Sequence, residues 1–308
     1  MRNCFGNEIC KQAIKNKKIY ILFADITPTG NVASFKKKYP HRFVNIGVSE
    51  QTMIGMCAGL SLQGMRPFAY TIATFSLYRP FEMVRDGICY QNLPVTIVGM
   101  GSGTSYPTLG GTHLTQEDVS IARSIPNMNI IAPCDPNELK DAINFCCTKS
   151  KFPVYLRIGR AGEKNFTTNS SDKWRFGKIR KIFSGKDICF LTFGPIVRKA
   201  FDVKDKLMVK NISSEIYSCH TLKPFDYDGL KKIFKKFKLI VIIEDHSKIG
   251  GLNSIVKSFA YEDHYSGKII SYSLKDEFID CYGWQEDLLA KHGIDSRRIY
   301  QDIMRKIY

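Results

Sequence analysis

The strongest constraint on this chain is a repeated alternation of short, continuous apolar runs with longer amphipathic segments. In the first half the runs are IYILFADI at 19–26, FVNIGV at 43–48, PFAYTIA at 67–73, VTIVGM at 95–100 and NIIAP at 129–133. A strand that is apolar throughout must be buried on both faces, and the intervening segments are long enough to be the helices that bury it. This predicts an α/β domain on an open, mainly parallel sheet over residues 1–165. After NIIAP a helix start is legible: Asp135 suits the cap, Pro136 the first turn, and Glu138 completes a capping box. Residues 166–186 open with a Thr/Asn/Ser/Asp cluster and lose the rhythm, which predicts a linker with some extended structure. ICFLTFGP at 188–195, SEIYSC at 214–219, LIVIIEDH at 239–246 and IISYSL at 269–274 then restart it. The expectation is two consecutive open, mainly parallel-sheet α/β domains, the second spanning 187–308. A chain of 308 residues, 44% hydrophobic, has material for both cores.

Charge and cysteine usage narrow the class. The net charge of +16 raises the possibility of a nucleic-acid partner, since lysines can neutralise phosphates. Yet the lysines at 15–18, 36–38 and 231–238 lie in short surface-like runs without interleaved base-stacking aromatics. A solvated face, or attraction for a phosphorylated substrate or an acidic partner, explains them, and no nucleic-acid partner is expected. Ten cysteines include no CxxC pair, so buried thiols are expected rather than a zinc site. No apolar stretch approaches the length of a bilayer span and the first residues lack a secretory signal core, so a cytoplasmic protein without a membrane partner is expected.

The chemistry concentrates in residues 47–95. Glu50 follows a buried strand and opens the small-residue segment Gln51 to Leu62; taken alone, such an acid is commonly just a favourable partner for a helix dipole. Phe75, Tyr78 and Phe81, three residues apart, share a helical face, a spacing commonest in plain core. Together with Ala58-Gly59, Thr74-Phe75, Asn92 to Val95, GGTHLTQEDVSIARSIPNMNIIAPCDPNEL at 110–139 and PVYLRIGR at 153–160, this stretch resembles the pyrimidine-binding domain of transketolases and deoxyxylulose-phosphate synthases. Weaker matches, EDH with GGL at 244–252 and HGID at 292–295, extend the resemblance over nearly the whole chain.

The resemblance implies thiamine diphosphate as cofactor, with Glu50 contacting the aminopyrimidine N1′ and thereby promoting removal of the thiazolium C2 proton. It further implies that Phe75, Tyr78 and Phe81 wall the pyrimidine and that Ile26 and Val48 are aliphatic contacts to the cofactor. His113 is implied as a hydrogen-bonding or proton-shuttling group near the reactive carbon. Arg2, Thr29 and Arg160 fall where the family holds a substrate phosphate, a task suited to guanidinium forks.

The family also requires a Gly-Asp-Gly motif for the Mg2+ or Ca2+ ion that clamps the diphosphate, and none occurs in this sequence. A separate diphosphate-binding subunit carrying the metal is therefore expected, in a heterotetramer with two copies of each chain. Where transketolases carry a histidine and an aspartate that read sugar hydroxyls, this chain has Gly101 and Leu109, and Leu114 replaces a second histidine. The expected function is transfer of a two-carbon ketol unit between sugars, with a non-standard sugar substrate. The alternatives are a deoxyxylulose-phosphate-synthase-like or 2-oxo-acid dehydrogenase beta-like subunit, a non-catalytic scaffold or regulatory subunit, and a basic nucleic-acid-binding module.

Overall fold

The computed structural model of the chain describes residues 1–26 and 31–307. Among the described residues twelve strands form two sheets: β1 Ile19–Phe23, β2 Phe43–Asn45, β3 Arg66–Ile72, β4 Thr96–Met100, β5 Asn129–Ile131, β6 Val154–Ile158, β7 Arg180–Phe183, β8 Ile188–Thr192, β9 Ser214–Ser218, β10 Thr221–Lys223, β11 Leu239–Ser247 and β12 Lys268–Leu274. The first sheet runs β10-β5-β6-β4-β3-β1-β2 and the second β12-β11-β8-β9-β7. Strands β4, β6, β8 and β11 are buried along their whole length, mainly by apolar residues, with Arg157 in β6 and Glu244 to Ser247 at the end of β11 as buried polar exceptions. Each sheet is parallel except for one antiparallel strand, β10 in the first and β7 in the second. Two open, mainly parallel α/β sheets are thus present.

Two features depart from a simple succession of domains. Strand β7 lies inside the segment read as a linker, at Arg180–Phe183, and forms the edge of the second sheet. Strand β10 comes from the second half of the chain and pairs with β5 of the first sheet, Thr221 opposite Ile131. The start of the helix Pro136–Thr148 shows how the linker is tied down. Asp135 accepts the Glu138 N–H with one carboxylate oxygen (2.8 Å), while the other accepts the N–H groups of Phe166 and Thr167. Glu138 reaches back to the N–H of Cys134 at 2.9 Å, one residue beyond the cap itself.

A buried polar cluster fastens the halves beneath the loop after β4. The Arg157 Nε donates to Asp118 Oδ2 at 2.8 Å and its Nη2 to the Asp245 carbonyl at 2.9 Å. Tyr155 adds a hydroxyl donor to the same Asp118 oxygen at 2.8 Å. The Asp245 carboxylate accepts both the N–H and the hydroxyl of Thr104, which anchors the loop that carries His113. Among the described residues no helix is long and apolar enough to cross a membrane.

Candidate functional site

In the first sheet the chain runs outward from β1 to β2 and then returns to the other side of β1 as β3. Such a reversal leaves a crevice beyond the carboxyl ends of the strands. Asn45, ending β2, holds the crevice together: its side-chain oxygen accepts the N–H of Asp25 (3.1 Å) and of Gly47 (3.2 Å). Gly47 takes a left-handed φ of 76°, a turn that costs glycine little, and three residues later Glu50 begins the helix Glu50–Leu62.

Glu50 is 2% exposed. Both its carboxylate oxygens accept from one nitrogen of Arg79, at 2.9 and 3.1 Å. That guanidinium also lies 4.9 Å from the centroid of the Phe75 ring. Phe75 belongs to the short helix Ala73–Leu77 that follows β3, and the His113 imidazole meets its ring edge-on at 5.3 Å. Phe75, Tyr78 and Arg79 share the wall of a cleft of about 540 Å³ with Thr112, Glu117 and Phe278. The Tyr78 hydroxyl donates to Glu117 at 2.9 Å, and burial raises its pKa well above the usual phenol range. Partial burial pushes the His113 imidazole below its ordinary pKa, which favours the neutral ring. Its Nδ1 lies 2.9 Å from the Thr112 hydroxyl, and its other ring nitrogen has no hydrogen-bond partner among the described residues.

A second cavity of about 300 Å³ opens at the carboxyl ends of β1, β3 and β4, lined by Arg2, Asp25, Ile26, Tyr70 and Tyr106 among others. The Arg2 Nε and the Tyr70 hydroxyl are buried there without a hydrogen-bond partner among the described residues. Arg160 stands on Tyr106, its guanidinium 4.9 Å from the ring centroid, and its carbonyl accepts the Arg2 N–H. Tyr106 also lies 6.2 Å from the His113 ring and so links the two cavities.

Phe75 and Tyr78 thus line the cleft, with Glu50 bound to its Arg79 and His113 against its Phe75 ring, while Arg2 and Ile26 line the neighbouring cavity and Arg160 stacks on its Tyr106. Val48 is 70% exposed and Phe81 is 37% exposed, and neither lines the two cavities. Thr29 lies outside the described residues. Sequence reasoning missed Arg79, Tyr106, Glu117 and Phe278. Nothing local marks them: Arg79 meets Glu50 across 29 residues, and Phe278 arrives from the second half of the chain.

An aromatic wall with a buried carboxyl at its edge fits the aminopyrimidine half of thiamine diphosphate. The diphosphate half needs a hard cation held by oxygen ligands, and no group of three His, Cys, Asp or Glu residues among those described is placed to hold a metal.

Comparison with known proteins recognises both halves of the chain. Residues 1–162 match the transketolase pyrimidine-binding domain and residues 177–299 the transketolase C-terminal domain. A protein of Methanocaldococcus jannaschii described as a transketolase C-terminal section is 33% identical over 100% of this chain and 96% of its own length. One of the subunits of an apulose-4-phosphate transketolase from Phocaeicola vulgatus is 28% identical, covering 97% of this chain and 94% of that protein. A split-gene transketolase solved as an inactive β4 tetramer superposes with a TM-score of 0.88 at 30% identity, over 99% of this chain and 97% of that one. The chain belongs to the transketolase family, as the part that comprises its pyrimidine-binding and C-terminal domains.

Proposed function

We propose that this chain is the pyrimidine-binding subunit of a two-component, thiamine-diphosphate-dependent transketolase that moves a two-carbon ketol unit between sugar phosphates outside the usual pentose set. The observation that carries the reading is a single side-chain cluster beside the cleft: Arg79 joins Glu50 to the Phe75 ring, and His113 meets the same ring edge-on. Thiamine diphosphate, when bound, supplies the electron sink that lets a ketose carbon–carbon bond break. Glu50 offers a buried hydrogen-bonding carboxyl to the ring nitrogen, Phe75 and Tyr78 orient the ring, and His113 holds or moves a proton at the substrate oxygen. Arg2 and Arg160, flanking Tyr106, supply positive charge for a terminal phosphate, with Thr29 as a hydroxyl partner. Val48 and Phe81, both exposed here, would meet the cofactor from the outer side of the site in the assembled enzyme.

Support for an unusual sugar comes from the loop that carries Tyr106. Gly101 has φ of 67°, and a Cβ built there would collide with the edge of the Tyr106 ring. The family's sugar-reading histidine has no room at this position while Tyr106 fills it. Leu109 is 46% exposed at the same loop and offers no polar group to a hydroxyl. The partner chain would carry the Mg2+ or Ca2+ and the diphosphate contacts, two copies of each chain forming the active assembly. Ten free thiols fit a reducing, cytoplasmic setting.

The test is reconstitution with the co-purifying partner, thiamine diphosphate and Mg2+, assayed over a panel of phosphorylated ketose donors. Ketol transfer that requires both chains is the expected result. Activity from this chain alone, or carbon dioxide release from pyruvate in place of ketol transfer, would contradict it.

A further inference from the structure

The guanidinium of Arg79 stands where a ligand ring would be held. It takes both oxygens of Glu50, the buried acid of the cleft, and at the same time lies over Phe75, the cleft's aromatic face. Glu50 has no other hydrogen-bond donor among the described residues. Arg79 itself is held by little else: its side chain is 46% exposed and its polar contacts among the described residues are those to Glu50 alone. A guanidinium is a planar N–C–N array that donates hydrogen bonds in its plane and stacks on aromatic faces. An aminopyrimidine carries the same planar amidine pattern.

We propose that Arg79 is a placeholder for the cofactor's aminopyrimidine: in the unloaded subunit it satisfies the buried acid and covers the aromatic wall, and it must leave both when the ring docks. This rests on the reading of Glu50 and Phe75 as ring contacts. A buried carboxylate without a donor is costly, so a site organised around one needs a substitute partner before its ligand arrives. Because Arg79 is half exposed, the substitute is held weakly enough to be displaced. It lowers cofactor affinity by the free energy of that one contact and keeps the empty acid satisfied while the two subunits assemble.

The experiment is calorimetric titration of thiamine diphosphate with Mg2+ into the reconstituted two-subunit enzyme, for wild type, Arg79→Met, Arg79→Lys, Arg79→Ala and Glu50→Gln, with melting curves as a folding control. Arg79→Met keeps the stem and removes every donor, and it should bind the cofactor about fivefold more tightly, the equivalent of about 1 kcal/mol for a half-exposed ion pair. Arg79→Lys, which keeps the charge and loses the planar fork, should fall between the two. In Arg79→Ala, guanidinium ion at sub-denaturing concentration should compete with the cofactor, whereas it should leave wild-type binding unchanged. Equal or weaker binding by a folded Arg79→Met protein overturns the proposal. If no protein in the series binds the cofactor, the assignment of Glu50 and Phe75 has failed and the placeholder role falls with it.

Discussion

Replacing Arg157 by methionine should do more damage than any other single change outside the cleft, because of what it leaves behind. Arg157 is 2% exposed, and Asp118, its partner at 2.8 Å, is fully buried. The substitution keeps most of the side-chain volume, so the cost comes from charge rather than from a cavity. Asp118 Oδ1 already lacks a partner among the described residues, and Oδ2 would keep only the Tyr155 hydroxyl. The Asp245 carbonyl would lose its donor as well. Breaking a buried pair in this way costs about 3–5 kcal/mol, a fall in melting temperature on the order of 10 °C for units of this size. The double variant Arg157→Met with Asp118→Leu removes both charges and should recover most of the loss, since an apolar pair avoids the desolvation cost. Thermal melts of wild type, both single variants and the double variant supply the cycle. A single variant that melts within about 2 °C of wild type, or a double variant no better than Arg157→Met, would refute the reasoning.

Other predictions address the cleft and the pH response. Phe75→Ala removes the aromatic wall and should weaken thiamine diphosphate binding about tenfold or more, while turnover at saturating cofactor changes far less, a split visible in cofactor titrations of activity. Burial lowers His246 to a pKa of about 4 and His220 to about 3, from an ordinary 6.5. The unfolded chain therefore binds more protons than the native one between these values, so their stabilisation is complete above pH 6.5 and is lost as pH falls through the folded values. Burial raises Glu244 to about 7, which works in the opposite sense for one proton as pH rises from 4.5 to 7. In His246→Gln the histidine's contribution is absent, so the stability gap between wild type and variant, followed by melting, should shrink as pH falls from 6.5 towards 4. Gly101→Ala places a Cβ against Tyr106 at a left-handed φ and should cost about 1–3 kcal/mol in chemical denaturation.

Much of the scaffold was legible because burial on both faces leaves a local mark. The runs at 19–26 and 95–100 contain β1 and β4, the run at 67–73 covers β3 except for its first residue, and Asp135 caps the helix that follows β5. Strands β7 and β10 were not legible as edges: Arg180–Phe183 is short and mixed in polarity, and three residues at Thr221–Lys223 carry no periodicity to read. Their placement depends on pairing with strands far away in sequence. The candidate site divides in the same way. Glu50, Phe75 and His113 could be singled out because their segments resemble a known family, whereas the Arg79 contact to Glu50 and the Phe278 contribution to the cleft exist only after folding. Phe81 shares the three-residue spacing of Phe75 and Tyr78, yet it is 37% exposed and outside the lining of the cleft they share.

The most direct test of the central claim is the rate at which the cofactor's C2 hydrogen exchanges with deuterated solvent in the reconstituted enzyme, measured by rapid-quench NMR for wild type and Glu50→Gln. Glutamine keeps the shape of the side chain and cannot act as the acid. A loss of roughly 10²-fold or more in exchange rate, with the cofactor still bound, is the predicted result. Exchange in Glu50→Gln as fast as in wild type would contradict the account.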